Sequence, residues 1–263
     1  MSTYSFANSW ENARQRLASI EAQYDPATIR QLERCGIADG WHCLEVGGGG
    51  GSIAAWLCER VGPRGSVLAT DIEPHFLAAL DYPNLTAQRH NIVTDELPER
   101  AFDLVHARML LEHLPERDRV LRRLVAALRP GGWLLCEDLD EGSIGLIAPA
   151  DAASQAVFTL VQQARKAVMQ SRGHVPAYGR QLAALFRDAG LVDVRAEGQV
   201  PVFQAGPEAE FARLTIAQLR GAIVEAGAAT AADIDAYTAL LASPSFTMVG
   251  PTLFAARGRR PAG

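Results

Sequence analysis

Glu45 and Val46 lead into five consecutive glycines, Gly47 to Gly51, and an aspartate, Asp71, closes the next apolar run of the chain. An ordered glycine costs about 0.5–1 kcal/mol of conformational entropy relative to alanine, so a run this long points to close approach of backbone and ligand. A flexible linker would share this composition, but the flanks argue against one. Trp41 to Val46 reads as a buried strand, and Ile53 to Arg60 reads as a helix without a breaker. Ser66 to Asp71 reads as a second strand ending on an acid, and a carboxylate there can accept hydrogen bonds from both hydroxyls of a ribose.

The turn does not fit a dinucleotide fingerprint. Counted from Gly47, the pattern GxGxxG needs glycine at position 52, which is Ser52. Glu45 is also an awkward neighbour for a pyrophosphate and a suitable one for a cation. These residues point to a nucleoside that carries a positive charge.

The elements that must position them alternate. Residues 8–35 are rich in helix formers, and Asp25-Pro26 predicts that a new helix starts there, with Tyr4, Phe6, Trp10 and Tyr24 as aromatics that would cap a pocket. After a turn at Val61 to Gly65, the pattern predicts a helix over 74–80, a strand over 85–91 and a strand over 102–107. Pro115 then starts a helix that stops at Arg129-Pro130-Gly131-Gly132, and Trp133 to Asp138 is the fifth strand. Strands alternating with helices imply a parallel sheet, with the ligand beyond the strand ends where strand order reverses. Past Asp140 the pattern gives helices over 152–171 and 180–189, a strand over 190–203, helices over 208–226 and 231–242, and a last strand over 245–256. The expected class is α/β, a single domain over 1–263. Its parts are an N-terminal helical cap (1–35), a cofactor-binding core (36–140) and helical insertions at 141–189 and 205–243 that roof the substrate pocket.

The chain has 263 residues, 48% of them hydrophobic, and a formal net charge of −5. This allows a substantial core, and with no Lys/Arg-rich block it gives no electrostatic footprint for nucleic acid. Cys35, Cys43, Cys58 and Cys136 form no CxxC pair and read as reduced, buried thiols. No run of about 18 apolar residues is present to span a bilayer, and the N-terminus reads as no secretion signal, so a cytoplasmic location is expected. The expected partner is a small-molecule substrate, with neither nucleic acid nor membrane, and a homodimer is compatible with the sequence.

Glu45-Val46-Gly47 to Gly51 with Asp71, then Phe102-Asp103-Leu104-Val105, Leu111-Glu112-His113-Leu114 and Leu128-Arg129-Pro130-Gly131-Gly132, resemble the class I S-adenosylmethionine-dependent methyltransferases, above all the bacterial small-molecule type. The resemblance covers residues 40–140. It implies a Rossmann-like, doubly wound seven-stranded sheet whose last strand is antiparallel, with helical cap insertions, and S-adenosyl-L-methionine as cofactor. It also implies that Gly47 and Gly49 lie against the methionine part, that Glu45 places its ammonium, that Asp71 holds the ribose and that Ile72 packs on the adenine. Asn91 stands where the family usually has an aspartate, so weaker binding of the adenine amino group is expected; Ile92 and Ala107 complete the cofactor-binding set. Gly48 and Gly50, side-chain positions in relatives, are expected to loosen the turn.

The implied reaction moves the methyl to an O, N or C nucleophile of a small, mainly apolar metabolite, largely by proximity and orientation. His113 is the candidate catalytic base, and its alternative role is structural. Arg108, Tyr178 and Tyr24 are candidate substrate-binding residues, and His174 is a plausible contact; Arg108 would otherwise pair with Glu112 at the surface. His106 is expected to pack against a helix. Glu137, Asp138 and Asp140 are carboxylates with no obvious partner, so no metal is expected. Competing readings are an S-adenosylmethionine-binding protein with a non-methylating reaction and an NAD-dependent reductase.

Overall fold

A computed structural model describes residues 6–262; Tyr4, one of the aromatics expected to cap the pocket, lies outside the described residues. The chain runs α1 (Ala13–Arg34), β1 (His42–Val46), α2 (Ser52–Val61), β2 (Ser66–Asp71), β3 (Leu85–Arg89), β4 (Phe102–Arg108), α3 (Arg117–Ala127) and β5 (Leu128–Asp140). It continues through β6 (Gly145–Ala148), α4 (Ala152–Ser171), α5 (Leu182–Asp188), β7 (Val192–Gln199), β8 (Val202–Gln204), α6 (Glu210–Glu225), α7 (Ala231–Leu241), β9 (Thr247–Val249) and β10 (Thr252–Arg259). The seven-stranded sheet has the order β3-β2-β1-β4-β5-β10-β7, with β10 antiparallel to both its neighbours. The sheet is thus the Rossmann-like one that the resemblance implies, and β1 and β4 lie side by side in parallel.

Several elements depart from the sequence pattern, each for a physical reason. Pro26 sits inside a continuous α1 and starts no new helix. An interior proline costs about 3 kcal/mol, but Tyr24, Ala27 and Leu32 are all buried, and that packing holds the two halves in line. The helix expected over 74–80 is only a 3-10 turn at Leu77–Ala79, because Leu77 is fully buried and the chain turns extended again at Leu80. The strand expected over 190–203 breaks at Pro201, and the last strand breaks at Gly250-Pro251, so β8 and β9 leave the main sheet and join β6 in a separate three-stranded one. Proline cannot donate to a ladder, and the two breaks meet where Gly250 N donates to Pro201 O at 2.9 Å.

The two sheet faces bury different sets. Leu44, Val46, Val105, Leu134 and Phe186 belong to one cluster, and Cys43, Leu57, Leu104 and Leu135 to the other. All four cysteines are buried and free. A third cluster, including Phe158, Val161, Leu219, Tyr237 and Phe246, joins α4, α6 and α7 to the small sheet.

The second face becomes charged toward its carboxyl end. His106 on β4 is wholly buried, with Nδ1 2.6 Å from Glu45 Oε2 and Nε2 3.4 Å from Glu137 Oε2, so it bridges carboxylates instead of packing against a helix. Glu137 also accepts from Thr28 of α1 at 2.5 Å. Arg108 donates to Thr28 at 2.9 Å and pairs with Asp25 at 2.8 Å. Burial alone would push the His106 imidazole down, but the two glutamates outweigh it and hold it up at about 9. An unfolded histidine titrates near 6.5. The stabilisation is therefore complete below about pH 6.5 and is lost as pH rises through about 9. Urea midpoints measured across this range should fall as pH rises, and the fall should be markedly shallower in His106→Gln.

Candidate functional site

Beyond the carboxyl ends of β1, β2 and β4 lies a cavity of about 620 Å³, closed on its far side by α1, α4 and α6. Its floor is the glycine turn. Gly47, Gly49 and Gly51 have φ of 70°, 53° and 93°, the left-handed region that a side chain disfavours. Gly47 N and Gly48 N donate to Thr70 O at 2.8 and 3.0 Å, which locks the turn to β2. The turn is not loose at its other glycines. A Cβ on Gly48 would stand 3.0 Å from Leu77, and one on Gly50 would collide with the Arg14–Glu21 ion pair of α1.

Asp71 lines the cavity and accepts from Gly49 N at 3.0 Å and Glu73 N at 2.9 Å. Burial raises its carboxyl above the usual range, partly offset by those backbone donors. Ile72 and Ile92 line the same wall. Asn91 does too, but it is exposed, and its Oδ1 already accepts from Val93 N at 3.0 Å. Glu45, although buried, also reaches the cavity surface. Ala107 does not line it: it is buried in the sheet beside Val46.

The opposite wall follows β4. Met109, a non-glycine with φ 51°, turns the chain sharply so that Leu110, Glu112 and His113 face the cavity. His113 Nε2 lies 3.3 Å from Glu112 Oε1, and Glu112 Oε2 accepts from Leu139 N at 2.7 Å. Burial opposes ionisation of Glu112, but His113, His174 and the Leu139 N–H outweigh it and hold its carboxyl below the usual range. Asp138, buried beside it, is pushed far up by burial and by the Glu112 charge, so Glu112 is the more readily ionised of the two. His174 comes from the loop after α4, its ring 5.0 Å from that of His113, and burial pushes its imidazole down to about 4. Glu112, His113 and His174 each bring one metal-ligating atom within 4.8 Å of the others. Beyond them Glu141 pairs with Arg165 at 2.8 Å, and Phe6, Ile20, Leu139, Met169 and Phe211 supply apolar wall.

The sequence-derived substrate set is divided. Arg108 lines the cavity, yet it pairs with Asp25 and not with Glu112, which is buried. Tyr24 and Tyr178 are not in the cavity wall. Tyr24 is fully buried with its ring 6.2 Å from Phe211, and Tyr178 is drawn into the core with Leu182 and Phe186, its ring beside Arg117. Glu137, Asp138 and Asp140 do not converge: they serve His106, Glu112 N and Arg180 respectively. Glu112, Glu141 and Arg165 were not among the predicted site residues. Glu112 had a signal in its place beside His113; the other two arrive with the cap and have no local one.

A family model described as "Methyltransferase domain" matches residues 11–196. The methyltransferase str2 of Strobilurus tenacellus is 35% identical over 144 residues, which are 53% of this chain and 49% of that protein. The chain thus spans about half the length of this curated relative. Among solved structures, a phosphoethanolamine N-methyltransferase 2 of Haemonchus contortus, bound to phosphomonomethylethanolamine and S-adenosylhomocysteine, superposes with a TM-score of 0.62 at 16% identity, covering 99% of this chain and 60% of that one. The [4+2]-cyclase SpnF superposes with a TM-score of 0.55 at 17% identity, covering 91% and 81%. The family model, which takes in well over half of the chain, and the sheet order together show that the chain belongs to the methyltransferase domain family, with the class I S-adenosylmethionine-dependent architecture.

Proposed function

We propose that the protein transfers the methyl group of S-adenosyl-L-methionine to an O, N or C nucleophile of a small, mainly apolar metabolite in the cytoplasm. One observation carries this reading: the glycine turn with Asp71 and the Glu112–His113 pair face each other across a single cavity. The residues present fit the donor. The turn carries no side chains of its own between its backbone and the cavity, Asp71 offers carboxylate oxygens at the end of β2, Glu45 offers a carboxylate for an ammonium, and Ile72 and Ile92 offer apolar surface for a purine. The Asn91 carbonyl is already engaged, which fits a weaker adenine contact than a carboxylate would give.

The donor supplies a methyl on a sulfonium, an electrophile that needs no further activation. What remains for the chain is alignment and exclusion of water. α1 closes over the turn through Arg14 and Glu21, and the apolar wall of Phe6, Ile20, Leu139, Met169 and Phe211 holds the body of the acceptor. Where the acceptor carries a proton, its loss is assisted by His113, which Glu112 orients and whose charge Glu112 would stabilise. The fold also carries a cyclase, so transfer itself is what has to be measured.

Calorimetry should give saturable binding of S-adenosylhomocysteine, weakened about 10- to 100-fold in Asp71→Ala, as expected for losing one or two hydrogen bonds to a charged acceptor. Tight NAD binding in the same experiment would overturn the reading. In assays that follow labelled methyl into hydroxylated, amino and carbon-acid acceptors, His113→Ala should lower turnover about 10²- to 10⁴-fold with S-adenosylhomocysteine affinity unchanged. Product formation with the label retained on the donor would instead favour a non-methylating reaction.

A further inference from the structure

We propose that Glu112, His113 and His174 form a site for a divalent transition-metal ion of the zinc class, and that the ion takes the acceptor through an oxygen or sulfur donor. The ion site stands on geometry; the acceptor's place on it rests on the methyl-transfer reading above.

The donor set is one carboxylate and two imidazoles, a combination found in catalytic zinc sites with three protein ligands and one open position. Ligands about 2.1 Å from a tetrahedral ion stand about 3.4 Å from each other, and imidazoles bound to it set their ring centres roughly 5 Å apart. Glu112 Oε1 and His113 Nε2 are 3.3 Å apart, and the His113 and His174 ring centres are 5.0 Å apart. One ligand atom of each of the three residues lies within 4.8 Å of the others, so closure around an ion requires shifts of tenths of an ångström to about one.

His174 supplies an independent observation. Its side chain is 2% exposed, its Nε2 faces Glu141 Oε1 at 3.9 Å, and its Nδ1 is buried with no hydrogen-bond partner. A buried ring nitrogen without a partner is costly, and a metal ion would satisfy it. Glu141, held in turn by Arg165, lies 3.9 Å from the ring's other nitrogen and would have to approach by several tenths of an ångström to act as the outer carboxylate of a carboxylate–histidine–metal arrangement. The Glu112 carboxylate offers an oxygen donor, while the neighbouring guanidiniums are turned to other carboxylates, Arg165 to Glu141 and Arg108 to Asp25. All three ligands line the cavity, so the open coordination position faces the acceptor end. An ion there would lower the pKa of a bound hydroxyl or thiol so that its proton passes to solvent water; with the ion bound, His113 and Glu112 would act as ligands, and the base role of His113 described above belongs to the metal-free site.

The test is a Co²⁺ titration of chelator-stripped protein followed by visible absorption. One equivalent per chain with the bands of a tetrahedral site, displaced by Zn²⁺, is the expected result. His174→Ala should weaken Co²⁺ binding more than about 100-fold, beyond what loss of an outer-shell partner costs, while S-adenosylhomocysteine binding by calorimetry is retained. No saturable Co²⁺ binding, or undiminished binding in His174→Ala, would overturn the site. Should His174→Ala not fold, hyperfine-shifted imidazole signals in wild-type Co²⁺ protein decide instead, two ligating rings being expected and none overturning the proposal. A protein that binds Co²⁺ in this way but not S-adenosylhomocysteine would fail the methyl-transfer reading alone.

Discussion

The structure depends on one constraint: β1 and β4 are neighbours in the sheet, and the chain leaves their carboxyl ends in opposite directions. Backbone pairing fixes Glu45 opposite His106 and Val46 opposite Ala107, and beyond them the two segments stay in reach only where Leu110 approaches Gly47 and then part around the cavity. The crevice follows from topology and not from any single side chain. What the residues at its rim decide is which ligand it suits: glycines on one side, a sharp turn through Met109 and the Glu112–His113 pair on the other.

Charge is placed below the crevice with equal economy. Glu45 and Glu137 would repel each other across the sheet if His106 were neutral or apolar, since both are buried at the same end of one face. The imidazole between them turns two uncompensated carboxylates into a connected set that reaches Thr28 and Asp25 on α1. The cap is therefore bonded to the core through polar groups as well as apolar packing.

Much of this was legible in the chain, and what was not has a common cause. The glycine turn, the Asp71 position, the five parallel strands and α4 carry local signals: turn residues, capping and periodicity. The splitting of the last two strands was signalled by Pro201, Gly250 and Pro251, but the meaning of those breaks appears only when the two segments meet. The continuity of α1 through Pro26 is set by packing partners that a local reading does not contain. At the site, His113 could be read from its place after β4 and His174 as a contact from its loop, whereas Glu141 and Arg165 converge on them from segments with no local signal. Tyr24 and Tyr178 show the reverse error: aromatic side chains near a site in sequence were taken up by the core.

The position of α1 has a kinetic consequence. Arg14 and Glu21 cover Gly50, Leu17 stands over Gly49, and Ile20 lines the cavity beyond them, all within two turns of one helix. A displacement of α1 large enough to uncover the glycine turn would also remove the wall that Ile20 gives the same cavity. Were the methyl-transfer reading to hold, departure of the spent nucleoside and of the second product would be coupled through that one helix.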